Sequence, residues 1–315
     1  MSTILVTGAG GFVGSHVLPA LIDAGHRVVA LVRTEASADR VRRRLAPEQQ
    51  SAVDVRIGDV TRRDTLPDAF AGVDAVLHLV ALPRDWDGGQ TLRLVNTEGT
   101  RNVVEAARAA GVRRFVHQGA MGVVDDPALH YASSKARGEA IVAASGLDWT
   151  IVKPSLLYGP RDGFFNILAG LVRMSPGMVP LTGSGRARFQ PLAIDDLARI
   201  VVATFADPAT VGGTYELGGP RWWTYREIMD EVLRAMGARR LLVPVPVPLI
   251  RLVAASAELV RLPFPVATDQ LRQLRLDNIG ALDGVRAAFG FEPRDMAGRL
   301  THLQLRPREQ DPAST

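Results

Sequence analysis

The chain has 315 residues, 47% hydrophobic and 22% charged, and its 37 basic against 33 acidic side chains leave a formal charge of +4. This balance excludes disorder and collagen-like sequence, and the absence of cysteine excludes disulfides, thiolate metal sites and a cysteine nucleophile. The excess is only four charges and the arginines are spread along the whole chain, which argues against a nucleic-acid footprint. Only Lys135 and Lys153 are lysines; the other 35 basic residues are arginines. Ile4–Val6 run directly into a glycine turn, unlike a secretory leader, and no run of about 18 apolar residues offers a transmembrane segment. A cytoplasmic protein is expected.

Short β-branched runs alternate with helical patterns, the arrangement of a parallel sheet covered on both faces. Strands are predicted at Ile4–Thr7, Arg27–Val32, Val53–Ile57, Ala75–Val80, Phe115–Gln118, Thr150–Val152 and Thr214–Leu217. Helices are predicted near Phe12–Ala24, Ala38–Leu45, Leu66–Phe70, Val95–Ala110, Ser133–Ala144 and Asp195–Ala206, with Gly25, Gly111 and Gly146 as C-terminal stops. The stretch Gly159–Gln190, rich in glycine and proline, reads as loops around a pocket bounded by Phe164, Phe165, Arg188 and Trp222. Thr224 and Glu227 form a capping box for a helix to Met236. Val243–Pro248, with proline at every second position, reads as an extended edge. Leu249–Leu262 and Thr268–Leu274 are helix candidates. The former is too short to span a bilayer and is read as cover for a pocket or core, with peripheral membrane contact as the alternative.

Thr7-Gly8-Ala9-Gly10-Gly11-Phe12-Val13-Gly14 joins the first strand to the first helix. Glycines at 8, 11 and 14 permit the tight bend, the close approach of a pyrophosphate and close helix–strand packing, the pattern of dinucleotide binding. At the end of the second strand, Leu31-Val32-Arg33 carries no acid for ribose hydroxyls, and Arg33 suits a 2′-phosphate. NADP(H) is therefore the expected cofactor, with NAD(H) as the alternative. Arg40, Arg42, Arg43 and Arg44 read as a solvated helix face, with an extension of the basic rim as the alternative. Asp59, after the third strand, suits either an adenine contact or a cap.

Tyr131-Ala132-Ser133-Ser134-Lys135 places a phenol and an ammonium four residues apart, one turn apart on a helix face. The positive charge is expected to lower the phenol pKa toward working pH, fitting proton exchange at a carbonyl or carbinol.

With these motifs, the chain resembles an extended or atypical short-chain dehydrogenase/reductase of the NAD-dependent epimerase/dehydratase type. The likeness is carried by Thr7–Gly14, Gly58-Asp59-Val60, His78–Ala81, Asn96–Val103, Tyr131–Lys135, Lys153–Pro160 and Gln190–Leu197. Phe164-Phe165-Asn166, Pro180–Gly183 and Thr214–Pro220 look most like the branch containing the NADPH-binding accessory subunit of respiratory complex I. The resemblance implies an α/β fold: a doubly wound parallel-sheet Rossmann domain over 1–160 and about 190–218, a smaller C-terminal α/β substrate lobe over 161–189 and 219–305, and a frayed tail at 306–315. It implies that Gly8, Gly11, Phe12, Val13 and Gly14 cradle the pyrophosphate. Asp59 and Val60 would meet the adenine, Val80 and Ala81 the adenosine ribose, and Pro154, Leu156 and Leu157 the nicotinamide. Tyr131 and Lys135 match the catalytic pair, Lys135 also reaching the ribose. A small-molecule substrate, no metal, and a monomer or a homodimer through helices near Asn102 and Arg137 are implied.

One position departs from the pattern. Active relatives carry a serine or threonine just after the fifth strand, whereas Phe115-Val116-His117-Gln118-Gly119-Ala120-Met121-Gly122 has no hydroxyl, and Ala120 stands where the serine is expected. Losing one such donor typically costs about 10²–10³ in rate. Gln118, Ser133 and Ser155 are the candidate substitutes. The departure keeps open a second reading, a non-catalytic NADPH-binding structural or sensor protein. Asn96 matches an asparagine that positions the active-site helix, or caps the helix after it. Asp195 and Asp196 read as helix capping and dipole compensation, with acid/base work as the alternative. The rarity of lysine suggests that Lys135 and Lys153 do what a guanidinium cannot. For Lys153, reaching the nicotinamide end and a structural role both remain open.

Overall fold

The computed structural model describes residues 1–85, 87–246 and 277–304. In chain order the strands are β1 (Thr3–Thr7), β2 (Arg27–Val32), β3 (Val53–Ile57), β4 (Ala75–His78), β5 (Arg114–Gln118), β6 (Asp148–Pro154), β7 (Leu157–Tyr158), β8 (Met178–Thr182), β9 (Arg188–Phe189), β10 (Leu192–Ala193), β11 (Gly213–Leu217), β12 (Trp223–Thr224) and β13 (Leu241–Val245). The helices are α1 (Gly14–Asp23), α2 (Glu35–Arg44), α3 (Gln90–Leu92), α4 (Gly99–Ala109), α5 (His130–Ala143), α6 (Phe164–Met174), α7 (Ile194–Ala206), α8 (Tyr225–Ala235) and α9 (Gly284–Phe289).

Seven strands form one sheet in the order β11-β6-β5-β4-β1-β2-β3, every neighbouring pair parallel. This is the doubly wound Rossmann arrangement, and its strand order reverses between β1 and β4. Alternation along the strands separates two cores. Ile4, Val6, Val28 and Ala30 pack with α1 and α7 on one face, while Leu5, Val29, Leu31 and Phe115 pack with α4 and α5 on the other. Both faces are thus dry, which is why the strands read as continuous apolar runs. Gly25, Gly111 and Gly146 take positive φ after their helices.

A third cluster lies beyond the sheet, where Phe165, Leu168 and Val172 of α6 meet Ile228, Met229 and Val232 of α8 and Val179 and Leu181 of β8. The structure corrects the loop reading of Gly159–Gln190, because α6 and β8 occupy much of it. Phe165, Leu168, Ala169 and Val172 are buried at helical spacing, a periodicity masked by the flanking glycines and prolines. Asp162 starts this helix by accepting from Phe165 N at 2.8 Å and Asn166 N at 3.1 Å. The capping box at Thr224 and Glu227 opens α8, and Leu241–Val245 pairs with β8 in parallel. The segments 249–262 and 268–274 and the tail 306–315 lie outside the described residues. Among the described residues no helix is long and apolar enough to cross a membrane.

Candidate cofactor and active site

The C-terminal ends of β1 to β6 open into one cavity of about 620 Å³. It is lined by Gly8, Gly11, Phe12, Val13, Gly14, Arg33, Asp59, Val60, Val80, Ala81, Pro154, Leu156, Leu157 and Tyr131. The tertiary fold therefore brings every sequence-predicted site residue except Lys135 onto a single wall.

At the glycine turn, Gly11 N donates to Gly8 O at 2.9 Å. A Cβ on Gly14 would stand 2.5 Å from Ala9 O and 2.6 Å from Gly8 O, and one on Gly8, at φ +73°, would stand 3.1 Å from the Leu79 carbonyl carbon. Neither position accepts a side chain without moving backbone. No side chain caps the N-terminus of α1, so its positive end is left to a ligand in the cavity. These features fit a bound pyrophosphate.

Past the end of β2, Arg33 is exposed and lines the cavity together with Ser37 and Arg40. Arg40, Arg42, Arg43 and Arg44 are all exposed, as a solvated face requires, and two of them also extend the basic rim of the cavity. Arg40 faces the cavity, and Arg44 donates to Gly10 O at 3.0 Å, whereas Arg42 pairs with Asp39 on the surface at 3.4 Å. Asp59 does not cap a helix. Its Oδ1 accepts from Thr61 N and Thr61 Oγ1, both at 2.8 Å, a local turn that holds the carboxylate on the cavity wall. The Val60 beside it is fastened from behind, where buried Asn102 donates to Val60 O at 2.8 Å.

Between α3 and α4 the chain makes a π-turn over Arg93–Glu98, and such turns cluster at functional sites. Asn96 sits in it and is buried, so it caps nothing. Its Oδ1 accepts from Leu82 N at 2.8 Å, and its Nδ2 donates to Leu82 O and to Ser134 Oγ, both at 3.0 Å. It thus ties the cavity-lining segment after β4 to α5. Thr97 Oγ1 also donates to Ser134 O at 2.9 Å. In the sheet beneath, His78 bonds Thr7 Oγ1 at 2.7 Å and Thr100 Oγ1 at 3.0 Å, and stacks on His117 with centroids 5.3 Å apart. Burial, with Lys135 nearby, pushes His78 down to about 3 and His117 well below the usual histidine range.

Tyr131 lines the cavity near the start of α5, and Lys135 lies one turn on, buried, with Nζ donating to Gln118 O at 2.6 Å. The expectation of a lowered phenol pKa is overturned. Burial, reinforced by the Glu139 carboxylate, pushes Tyr131 up to about 12. Burial also brings Lys135 down to about 8, with Glu139 opposing. The ammonium is spent on the Gln118 carbonyl, and desolvation of the phenolate prevails.

Glu139 is the residue that motif reasoning missed. It follows Tyr131 and Lys135 at i+8, so the face that carries them continues to it; extending the helical spacing by one turn would have found it. Its Oε1 accepts from Ala120 N at 3.1 Å, and its Oε2 pairs with Lys153 Nζ at 3.2 Å, both side chains only 12% exposed. Lys153 also faces Glu216 at 3.5 Å. The second lysine is thus held in an ion-pair cluster behind the wall, not among the residues lining the cavity.

The pocket expected around Phe164, Phe165, Arg188 and Trp222 is not part of this cavity. Phe165 is fully buried in the third cluster. Arg188 pairs with Asp277 at 2.6 Å and lies 5.1 Å from the Trp222 ring centroid. Asp195 and Asp196 stand in the first turn of α7, and both also hold Arg294, at 2.9 and 3.5 Å.

Residues 8–178, more than half of the chain, match a family model described as NAD(P)H-binding. The chain belongs to the NAD(P)H-binding family, short-chain dehydrogenase/reductase type. It is 31% identical over 279 residues to ceramide reductase of Caulobacter vibrioides, covering 86% of this chain and 83% of that one. It is 27% identical over 286 residues to the mitochondrial NADH dehydrogenase (ubiquinone) 1 alpha subcomplex subunit 9 of Arabidopsis thaliana, covering 88% of this chain and 68% of the relative. In fold it is similar to the dTDP-glucose 4,6-dehydratase DesIV of Streptomyces venezuelae, solved with NAD bound, at a TM-score of 0.71 and 23% identity over 95% of each chain.

Proposed function

We propose that the protein is an NADP(H)-preferring oxidoreductase that moves a hydride to or from a small-molecule carbonyl or carbinol, with Tyr131 and Lys135 as its catalytic pair. The observation that carries this reading is the placement of Tyr131 on the same wall as the glycine turn, with buried Lys135 one turn behind it. The likeness to a protein named as a reductase supports it. When bound, the nicotinamide supplies or takes the hydride. Gly8, Gly11 and Gly14 admit the pyrophosphate, and Asp59 and Val60 lie where the adenine would sit. Val80 and Ala81 would flank the ribose, and Pro154, Leu156 and Leu157 would flank the nicotinamide. Arg33, exposed and without a hydrogen bond or ion pair to any described residue, is free to meet a 2′-phosphate, with Arg40 beside it.

A phenol held up to about 12 stays protonated at neutral pH, so Tyr131 is suited to donate its proton to a carbonyl oxygen. Written as a reduction, the carbonyl carbon gains hydride, the oxygen gains the Tyr131 proton, and the C=O π bond is lost. Lys135 orients the Gln118 backbone from behind the wall.

The test has two arms. By fluorescence titration NADPH should bind at least tenfold tighter than NADH, and Arg33→Ala should erase most of that difference; equal affinities would refute the assignment to NADP(H). With NADPH, a panel of benzaldehyde, acetophenone and ethyl 3-oxohexanoate should show turnover that Tyr131→Phe abolishes while NADPH still binds. The absence of a hydroxyl at Ala120 favours a second reading, a protein that holds NADPH without turning it over. No turnover across the panel would favour that reading.

A further inference from the structure

The segment after β5 carries the one gap in the catalytic pattern, and its backbone is held at every step. Gln118 O accepts from Lys135 Nζ at 2.6 Å, Gly119 N donates to Val152 O at 2.8 Å, and Ala120 N donates to Glu139 Oε1 at 3.1 Å. Met121 N donates to Pro154 O at 3.1 Å, and Met121 O accepts from Asn278 Nδ2 at 2.7 Å. Against this saturation the Gln118 carboxamide makes no hydrogen bond to any described residue, and its Oε1 is buried without a partner among them. Buried polar groups are nearly always paired; here neither end of a cavity-lining carboxamide is bonded to a described residue, which leaves Nε2 uncommitted and available to an acceptor in the cavity.

Of the three candidates to replace the missing hydroxyl, the other two are committed. Ser133 Oγ donates to Asp125 Oδ1 at 2.5 Å and does not line the cavity. Ser155 lines it, but its Oγ bonds Asn278 Oδ1 at 2.5 Å and accepts from Gln190 N at 3.2 Å, locking residues 277–281 onto the sheet. Gln118 precedes Ala120 by two residues, and side chains two apart on an extended chain share a side. Both line the cavity with Tyr131. The longer glutamine side chain spans part of the offset that a serine at 120 would not need. Its terminal torsion is soft, so Nε2 and Oε1 exchange places readily.

We infer that Gln118 is the hydrogen-bond donor that polarises the substrate carbonyl beside Tyr131, in place of the absent hydroxyl at Ala120. Its Nε2 donates to the carbonyl oxygen as negative charge develops there, and Tyr131 then delivers the proton. Lys135 and Glu139 fix the backbone from which the carboxamide projects. The inference rests on the reductase reading above.

The experiment compares wild type, Gln118→Met, Gln118→Asn and the double variant Gln118→Met/Ala120→Ser. Each is assayed with NADPH and ethyl 3-oxohexanoate, acetophenone and benzaldehyde, with melting temperature and NADPH titration as controls. Methionine keeps the volume and removes the donor, so kcat should fall by about 10²–10³, with NADPH affinity changed less than threefold. Serine at 120 in that background should restore at least tenfold. Asparagine keeps the donor but withdraws it by one methylene, and should lose at least tenfold even if the methionine variant fails to fold. A wild type that turns over while Gln118→Met, or the folded Gln118→Asn, stays within threefold of it would overturn the Gln118 role and leave the reductase reading standing. A wild type that binds NADPH and reduces none of the probes would overturn both.

Discussion

Replacing Glu139 with glutamine keeps an acceptor for Ala120 N and removes only the charge that faces Lys153. The two groups lie 3.2 Å apart with side chains 12% exposed, so the variant leaves an ammonium largely out of water. Removing one partner of a buried pair costs about 3–5 kcal/mol. Glu216, 3.5 Å away but 46% exposed, retains part of the compensation, which brings the expected loss to about 2–4 kcal/mol. At about 2–4 °C per kcal/mol, that is a fall of roughly 5–15 °C in Tm. Urea denaturation of wild type, Glu139→Gln, Lys153→Met and the double variant reads the coupling directly. The double variant should be more stable than the sum of the singles predicts by at least about 1 kcal/mol. The same substitution removes the carboxylate that raises both Tyr131 and Lys135, so both should titrate lower. A single-variant loss below about 0.5 kcal/mol, or strict additivity, would refute the placement of a buried ion pair behind Ala120.

Gly14→Ala would put a methyl 2.5 Å from Ala9 O; it should destabilise by about 1–3 kcal/mol as overpacking and weaken NADPH binding at least tenfold, both read in one thermal-shift titration, and unaltered binding would contradict the close-approach role. The stacked histidines set an acid limit. His78 and His117 are kept neutral in the fold, whereas the unfolded chain takes up protons below about 6.5, so their contribution is present above that pH and is lost as pH falls from about 6.5 toward 3. His117, whose ring nitrogens both lack partners among the described residues, gives the clean test: His117→Leu should be at least as stable as wild type at pH 7 and gain on it by up to about 2 kcal/mol at pH 5. Parallel pH profiles would contradict the buried neutral imidazole.

Local chemistry made much of this protein legible. The β1–turn–α1 unit follows from glycines whose missing side chains the backbone geometry demands, and seven strands follow from apolar runs that a doubly covered sheet requires. Thr224 and Glu227 announce α8 because a capping box needs nothing beyond four consecutive residues. Helix α6 escaped because composition hid a four-residue periodicity. The site residues, read from motifs spread over 150 positions, meet on one wall because a parallel sheet puts all its C-terminal strand ends on the same side.

Environment lay beyond sequence reasoning. Spacing along α5 put Lys135 next to Tyr131, but desolvation and the turn of Nζ toward the Gln118 carbonyl reverse the pKa expected from proximity. The scarcity of lysine pointed to Lys153, yet its partners come from α5 and β11, elements 14 and 63 positions away. Asn96 found its role only when a π-turn set it against Leu82 and Ser134. Periodicity and turn chemistry act within a few residues and can be read in order. Burial, charge pairing and unsatisfied polar atoms depend on which distant segments close around a side chain, and those exist only once the sheet has assembled.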